Sequence, residues 1–326
     1  MASSATVLVA DIGGTYSRFG LVDGGEAPMT PRAIRTLVND SYEDLSAAIT
    51  AYLADVKAAP GSGAFAVAGP TGGDVVTMTN RAWSFSVSDL ARAHGLAHLD
   101  VVNDFVALAR ALPFLRPDEL TPIGSAAPRD DATKLALGPG TGLGVAGLLH
   151  VDGRWIAVPS EAGHVEFAAI GAREHAMFEV LRKRFGRVAA ETAISGNGLC
   201  HLDSALATLD GQPAPDRAAA DIVAAAGRGE ARALEAIETM LAMLARFAGD
   251  MALAFVALGG VYFAGGVLTH IAGFARPDTF RALFTDKDPY AGLLAGIGTV
   301  LVNLDDQPAL RGCAAIAADH AWTTHR

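Results

Sequence analysis

Two glycine-rich turns, each set directly after a short apolar run, constrain this chain more than any other feature. They are Asp11-Ile12-Gly13-Gly14-Thr15 and Gly138-Pro139-Gly140-Thr141-Gly142-Leu143-Gly144. A strand that runs out into glycines lets backbone N–H groups approach phosphate oxygens where a Cβ would collide. The hydroxyls of Thr15 and Thr141 would add side-chain donors. Either turn alone reads equally well as an ordinary hairpin. The pair suggests a phosphate chain gripped from both sides.

The elements around these turns alternate. Val7–Ala10 and Gly20–Val22 read as strands, and Ser41–Lys57 fits an amphipathic helix with Ser41 as its N-cap. Buried strands follow at Phe65–Ala68 and Leu99–Val102, the latter running into Asn103-Asp104 and a helix over Phe105–Ala111 that Pro113 ends. The pattern restarts at Leu135–Leu137, with strands at Val145–His150 and Trp155–Val158. Helices then dominate, notably Glu230–Ala257, which is apolar almost all round and belongs deep in a core. Strands at Val261–Ala264 and Val300–Val302 complete the second half. This predicts an α/β chain with two domains, residues 1–122 and 134–326, joined by a crossover at 123–133 and separated by a cleft.

Composition narrows the function classes. With 51% hydrophobic and 18% charged residues, disorder is not expected. A net charge of −10 argues against a nucleic-acid surface but leaves room for an anion held locally at a glycine turn. Two cysteines, Cys200 and Cys313, form no metal-binding or disulfide pattern, so a reducing, cytoplasmic setting is expected. The start shows no basic, apolar leader, and the uncharged stretch from Met251 to Ala275 is broken by five glycines, so no membrane span is expected.

Within this frame some residues carry chemistry. Gly142-Leu143-Gly144-Val145-Ala146-Gly147 matches the dinucleotide fingerprint G-x-G-x-x-G, but the fingerprint needs a helix next, and a strand and hairpin turn follow instead. Asp104 sits at a strand end, where ligands of α/β sheets gather, and reads either as a helix cap or as a general base. Glu161 and His164, again past a strand, either converge on a small polar ligand or lie in a solvated loop. Glu191 reads by itself as a surface or cap acid, and Thr79-Asn80 as a turn. Phe263-Ala264-Gly265-Gly266-Val267 either lets a nucleoside lie against the backbone or allows a strand and helix to pack closely.

Taken together, and nearly end to end, these segments resemble the bacterial glucokinase family, within the sugar kinases and ATPases of the actin and hexokinase (ribonuclease H-like) fold. The resemblance implies two phosphate motifs and an adenosine motif, so that Ala10, Asp11, Ile12, Gly13, Gly14, Thr15, Gly138, Gly140, Thr141, Gly142, Gly265 and Gly266 would bind ATP. It implies Asp104 as catalytic base, with Asn103, Glu161, His164, Glu191 and Asn80 on the sugar, and Asp11 holding Mg2+ through water. The implied reaction moves the γ-phosphoryl group of ATP to the 6-hydroxyl of glucose. Apart from the resemblance, a homodimer is expected because symmetric dimers are common among soluble enzymes. A kinase for another hexose or aminosugar, a sugar-sensing regulator and a sugar-independent ATPase are the alternatives. The cysteine cluster of the zinc-bearing relatives is missing, so no structural zinc is expected. The chain departs from the family at Tyr16, where Asn is usual, at Pro139, and at Ser160 and Ala162, which replace glycines flanking Glu161.

Overall fold

The computed structural model describes residues 6–24, 30–79, 81–213, 216–303 and 307–323. They group into two compact units. The first comprises Met1–Arg116, Trp155–Pro159 and Asp305–Arg326, and the second Pro117–Arg154 and Ser160–Leu304.

The strands of the first unit are β1 (Thr6–Ile12), β2 (Tyr16–Asp23), β3 (Arg32–Val38), β4 (Ser62–Val67), β5 (Val75–Thr77), β6 (Ser84–Ser86) and β7 (His98–Asn103). Five of them form a sheet in the order β3-β2-β1-β4-β7, while β5 and β6 pair apart. Neighbours β1, β4 and β7 run parallel, whereas β2 and β3 turn back antiparallel. The near-continuous apolar run of β1 follows from burial on both faces. Leu8, Ala10 and Ile12 pack with α1 (Leu45–Val56) and α2 (Val87–Ala93), through Ile49, Tyr52 and Leu90. The alternate residues Val7 and Val9 pack with Ala107 of α3 (Asp104–Ala111) and with Leu310, Cys313 and Ala314 of the C-terminal helix, Pro308–Thr323.

Two sequence expectations change here. The first helix begins at Leu45, not Ser41, because Asp44 adopts an extended conformation and its Oδ1 accepts the Ala47 N–H at 2.7 Å; Asn39–Ser41 forms a short 3-10 turn instead. Pro308–Thr323, which the sequence reading only included in its second domain, 134–326, forms a C-terminal helix that belongs to the first unit, and the first division falls after Arg116 rather than at residue 122. Small residues explain the docking: a Cβ on Gly312 would lie 1.7 Å from the Ala107 carbonyl oxygen, and the Cys313 thiol donates to the Ala10 carbonyl at 3.4 Å.

The second unit carries β8 (Leu120–Pro122), β9 (Lys134–Pro139), β10 (Leu143–Val151), β12 (Val261–Phe263) and β13 (Thr299–Val302), which lie in one sheet in the order β10-β9-β12-β13-β8, while Arg154–Ser160 forms β11, most of which belongs to the first unit. The G-x-G-x-x-G segment therefore runs into strand β10, as the sequence reading requires. Helices α4 (Gly171–Phe185), α5 (Ala190–Ala193), α6 (Gly196–Leu209), α7 (Ala219–Gly227) and α8 (Ala231–Phe255) surround the second core. Ala236, Ile237, Met240, Leu244, Phe247 and Ala248 of α8 all lie in it. Among the described residues, no helix is long and apolar enough to cross a membrane.

Candidate functional site

In the first unit, parallel pairing sets Ile12, Val67 and Asn103 in one register, so the first glycine turn and Asn103-Asp104 leave the sheet at the same edge. This is the carboxyl end of the strands, where α/β sheets present their ligands. Asn103 is the N-cap of α3, its Oδ1 accepting the Phe105 N–H at 2.9 Å, while its Nδ2 donates to the Gly69 carbonyl at 3.4 Å. Asp104 is the first residue of the helix, and its carboxylate reaches the same Phe105 N–H at 3.0 Å. The cap thus has an owner other than Asp104.

Burial, with the negative charge of Asp11 adding to it, pushes the Asp104 carboxyl up to about 7. Burial also raises Asp11 above the usual carboxylate range, opposed by the Arg18 guanidinium, whose Nη1 lies 3.4 Å from Oδ2. Burial is thus the main reason that both carboxyl groups resist ionisation.

In the second unit, three predicted segments meet at one residue, Leu143. The Leu143 N–H, at the end of the second glycine turn, donates to Glu191 Oε2 at 2.8 Å. A Cβ on Gly142 would sit 2.4 Å from that same Oε2, so glycine is what lets the carboxylate reach the turn. The Leu143 carbonyl faces Gly163, where a Cβ would lie at 2.2 Å, which ties the Glu161–His164 segment to the start of β10. Glu161 and His164 are themselves exposed. Ser160, one of the departures from the family, accepts the Ala162 N–H through its Oγ at 3.1 Å and so braces this segment.

The glycines of the second and third motifs divide into two kinds. Cβ atoms on Gly138 and Gly265 would lie 1.5 Å from the Ala264 carbonyl and 2.3 Å from the Pro139 carbonyl. These two glycines let the β9 turn and the segment after β12 pack back to back. Gly140 and Gly266 have nothing within 4 Å of a Cβ position and face open space. Helix α6 joins them through its first residue, whose N–H (Gly196) donates to the Gly140 carbonyl at 2.9 Å, beneath a cap in which Ser195 Oγ accepts the Gly198 N–H at 2.9 Å.

Asn80 lies outside the described residues. The sequence reading passed over Arg18 and Asn39, both of which touch the first turn. Arg18 was legible in principle, because the tight hairpin sets it directly across from Asp11 in the β1–β2 register. Asn39 comes from a distant turn, and nothing local marks it.

Whether these residues suit Mg2+ can be judged from the donors present. Mg2+ is usually held by one or two carboxylates with waters and substrate phosphates, not by a protein cage. Asp11, a carboxylate at the first glycine turn whose described cationic partner is Arg18 at 3.4 Å, matches that donor set.

A glucokinase family model matches residues 8–320 of the chain. The glucokinase of Chromobacterium violaceum is 42% identical over 96% of the chain and 89% of its own length. A crystal structure of glucokinase from an Antarctic psychrotroph is 32% identical, with a TM-score of 0.86 over 97% of this chain and 99% of that one. A glucokinase from Balamuthia mandrillaris, crystallised in complex with glucose, shares the fold at a TM-score of 0.79 and 19% identity, over 97% and 94% of the two chains.

Proposed function

The chain belongs to the glucokinase family, has the actin/hexokinase-like fold and is an ATP-dependent kinase of glucose; we propose that Asp104 is the base of its reaction. The observation that carries this assignment is the position of Asp104 at the strand ends, beside the first glycine turn, with a carboxyl pushed up to about 7. A base works best when its pKa lies near the working pH. Asp104 would take the proton from the 6-hydroxyl and hold its oxygen in line for attack on the γ-phosphorus. Phosphoryl transfer depends mainly on positioning and charge stabilisation, which backbone donors in the glycine turns are suited to supply.

The proposal assigns Asn103, Glu161, His164, Glu191 and Asn80 to the sugar hydroxyls, and the turns at Ala10–Thr15, Gly138–Gly142 and Gly265-Gly266 to ATP. Mg2+, held by Asp11, would supply positive charge to the phosphate oxygens when bound. Homodimeric assembly and a cytoplasmic setting belong to the same reading. A coupled ADP-release assay across a panel of hexoses tests the acceptor: glucose should give the highest kcat/KM, and an aminosugar ahead of glucose would overturn that specificity.

Two further results are expected. Because Asp104 must be ionised to act, kcat/KM for glucose should fall as pH drops through about 7, by about tenfold per pH unit below it. A flat profile across that interval would remove Asp104 from the role. Glu191 bonds the Leu143 N–H through one oxygen, so the other is left for a hydroxyl. Glu191→Ala should raise the KM for glucose roughly ten- to hundredfold, since a buried polar group left unpaired costs about 1–3 kcal/mol. An unchanged KM in steady-state kinetics at saturating ATP would take Glu191 off the sugar.

A further inference from the structure

Asn39 has no place in the motifs by which the chain was read, yet it is fully buried and both its side-chain amide nitrogen and its backbone N–H donate to the first glycine turn. Its Nδ2 donates to the Gly13 carbonyl at 2.8 Å and to the Gly14 carbonyl at 3.2 Å. Its backbone N–H donates to the Thr15 carbonyl at 2.9 Å. Its Oδ1 accepts the Ser17 hydroxyl at 2.6 Å, which fixes which end of the amide faces the turn. One residue therefore holds three successive carbonyls of the turn on one side.

Peptide planarity gives this a consequence. In a trans peptide the C=O of one residue and the N–H of the next point in opposite directions. Pinning the carbonyls of Gly13 and Gly14 toward Asn39 turns the N–H groups of Gly14 and Thr15 away from it. Neither N–H finds a backbone acceptor among the described residues. Arg81 adds to the same side, with Nη1 donating to the Gly14 carbonyl at 3.4 Å and to Asp40 at 2.7 Å.

We infer that Asn39 is a positioning residue for the phosphate donor: it sets the peptide planes of the first turn so that two adjacent N–H groups are aimed at a phosphate. The inference rests on the reading of this turn as a phosphate cradle. Asn39 itself touches no phosphate. Its effect is transmitted through the turn, and so is confined to nucleotide binding and leaves sugar binding alone.

Titration calorimetry on the full chain, with Mg-ADP and separately with glucose, tests this. Asn39→Ala should weaken Mg-ADP by about tenfold or more, the effect of losing two hydrogen bonds that orient the turn, with glucose affinity changed less than about twofold. Asn39→Asp keeps the shape and the acceptor for Ser17 but as a carboxylate has no donor, and even when protonated it cannot supply both of the bonds that Nδ2 makes. It should bind Mg-ADP at least as weakly as Asn39→Ala, whereas a space-filling role for Asn39 predicts near-normal binding. If neither variant folds, Ser17→Ala carries the test: freeing the amide to rotate should weaken Mg-ADP by about threefold. Mg-ADP affinity unchanged in the folded variants, or lost in step with glucose affinity, would overturn the inference. Failure of the unsubstituted chain to bind Mg-ADP would instead sink the reading of the turn.

Discussion

Asp104→Ala is expected to lower kcat by about 10²- to 10⁴-fold, the contribution of a positioned general base, while the KM for ATP stays within a few-fold. The substitution leaves α3 capped, because the Phe105 N–H keeps its bond to Asn103 Oδ1. The loss is thus chemical, not structural. Folding stability offers a second readout with a definite sign. A carboxyl raised from 3.8 to about 7 binds its proton more tightly in the folded chain than in the unfolded one. Stability therefore falls as pH rises across that interval, and the variant should lose that part of the slope. Near-normal turnover by Asp104→Ala, with its urea midpoint unchanged, would refute the assignment of the base.

A second large effect is expected at Gly138, and it is of another kind. Gly138→Ala should destabilise the chain by about 3 kcal/mol or more, at or beyond the upper end for overpacking. An added Cβ would fall 1.5 Å from the Ala264 carbonyl oxygen, within a parallel pairing of β9 and β12 that cannot open on one side. Gly140→Ala, two residues on, meets nothing within 4 Å and should move stability by less than about 0.5 kcal/mol. It should instead raise the KM for ATP, if the open face of the turn is where phosphate lies. Urea denaturation and steady-state kinetics on the two variants separate them. Equal stability losses would mean that the two glycines do the same job.

The strand-to-glycine junctions were legible because they are local: an apolar run followed by residues without a Cβ says where a sheet edge opens. The 25 residues of α8 were legible for the same reason, their apolar character being continuous along the chain. The start of α1 was misplaced because Ser41 and Asp44 both make good caps, and only the extended backbone at Asp44 decides between them. The role of Asp104 was ambiguous in sequence because Asn103 and Asp104 both cap helices, and the division of labour appears only when the hydrogen bonds are seen. Glycines of one motif looked alike in sequence. Yet Gly138 and Gly265 answer to neighbouring carbonyls, whereas Gly140 and Gly266 answer to open space. Asn39 and the C-terminal helix were invisible because their partners, Gly13 and Ala107, are far off in the chain and joined to them by packing alone.

The return of the C-terminal helix to α3 has a consequence for the order in which the protein is made. The second unit, apart from the short stretch lent to the first, is one continuous run of sequence, whereas the first is assembled from both ends. A nascent chain emerging from the ribosome holds the whole second unit before the helix that covers Ala107 has been translated. Of the two units, the one that carries Asp104 is therefore completed after the other, so a chain interrupted before Pro308 has a finished second unit while Ala107 of the first still lacks its covering helix.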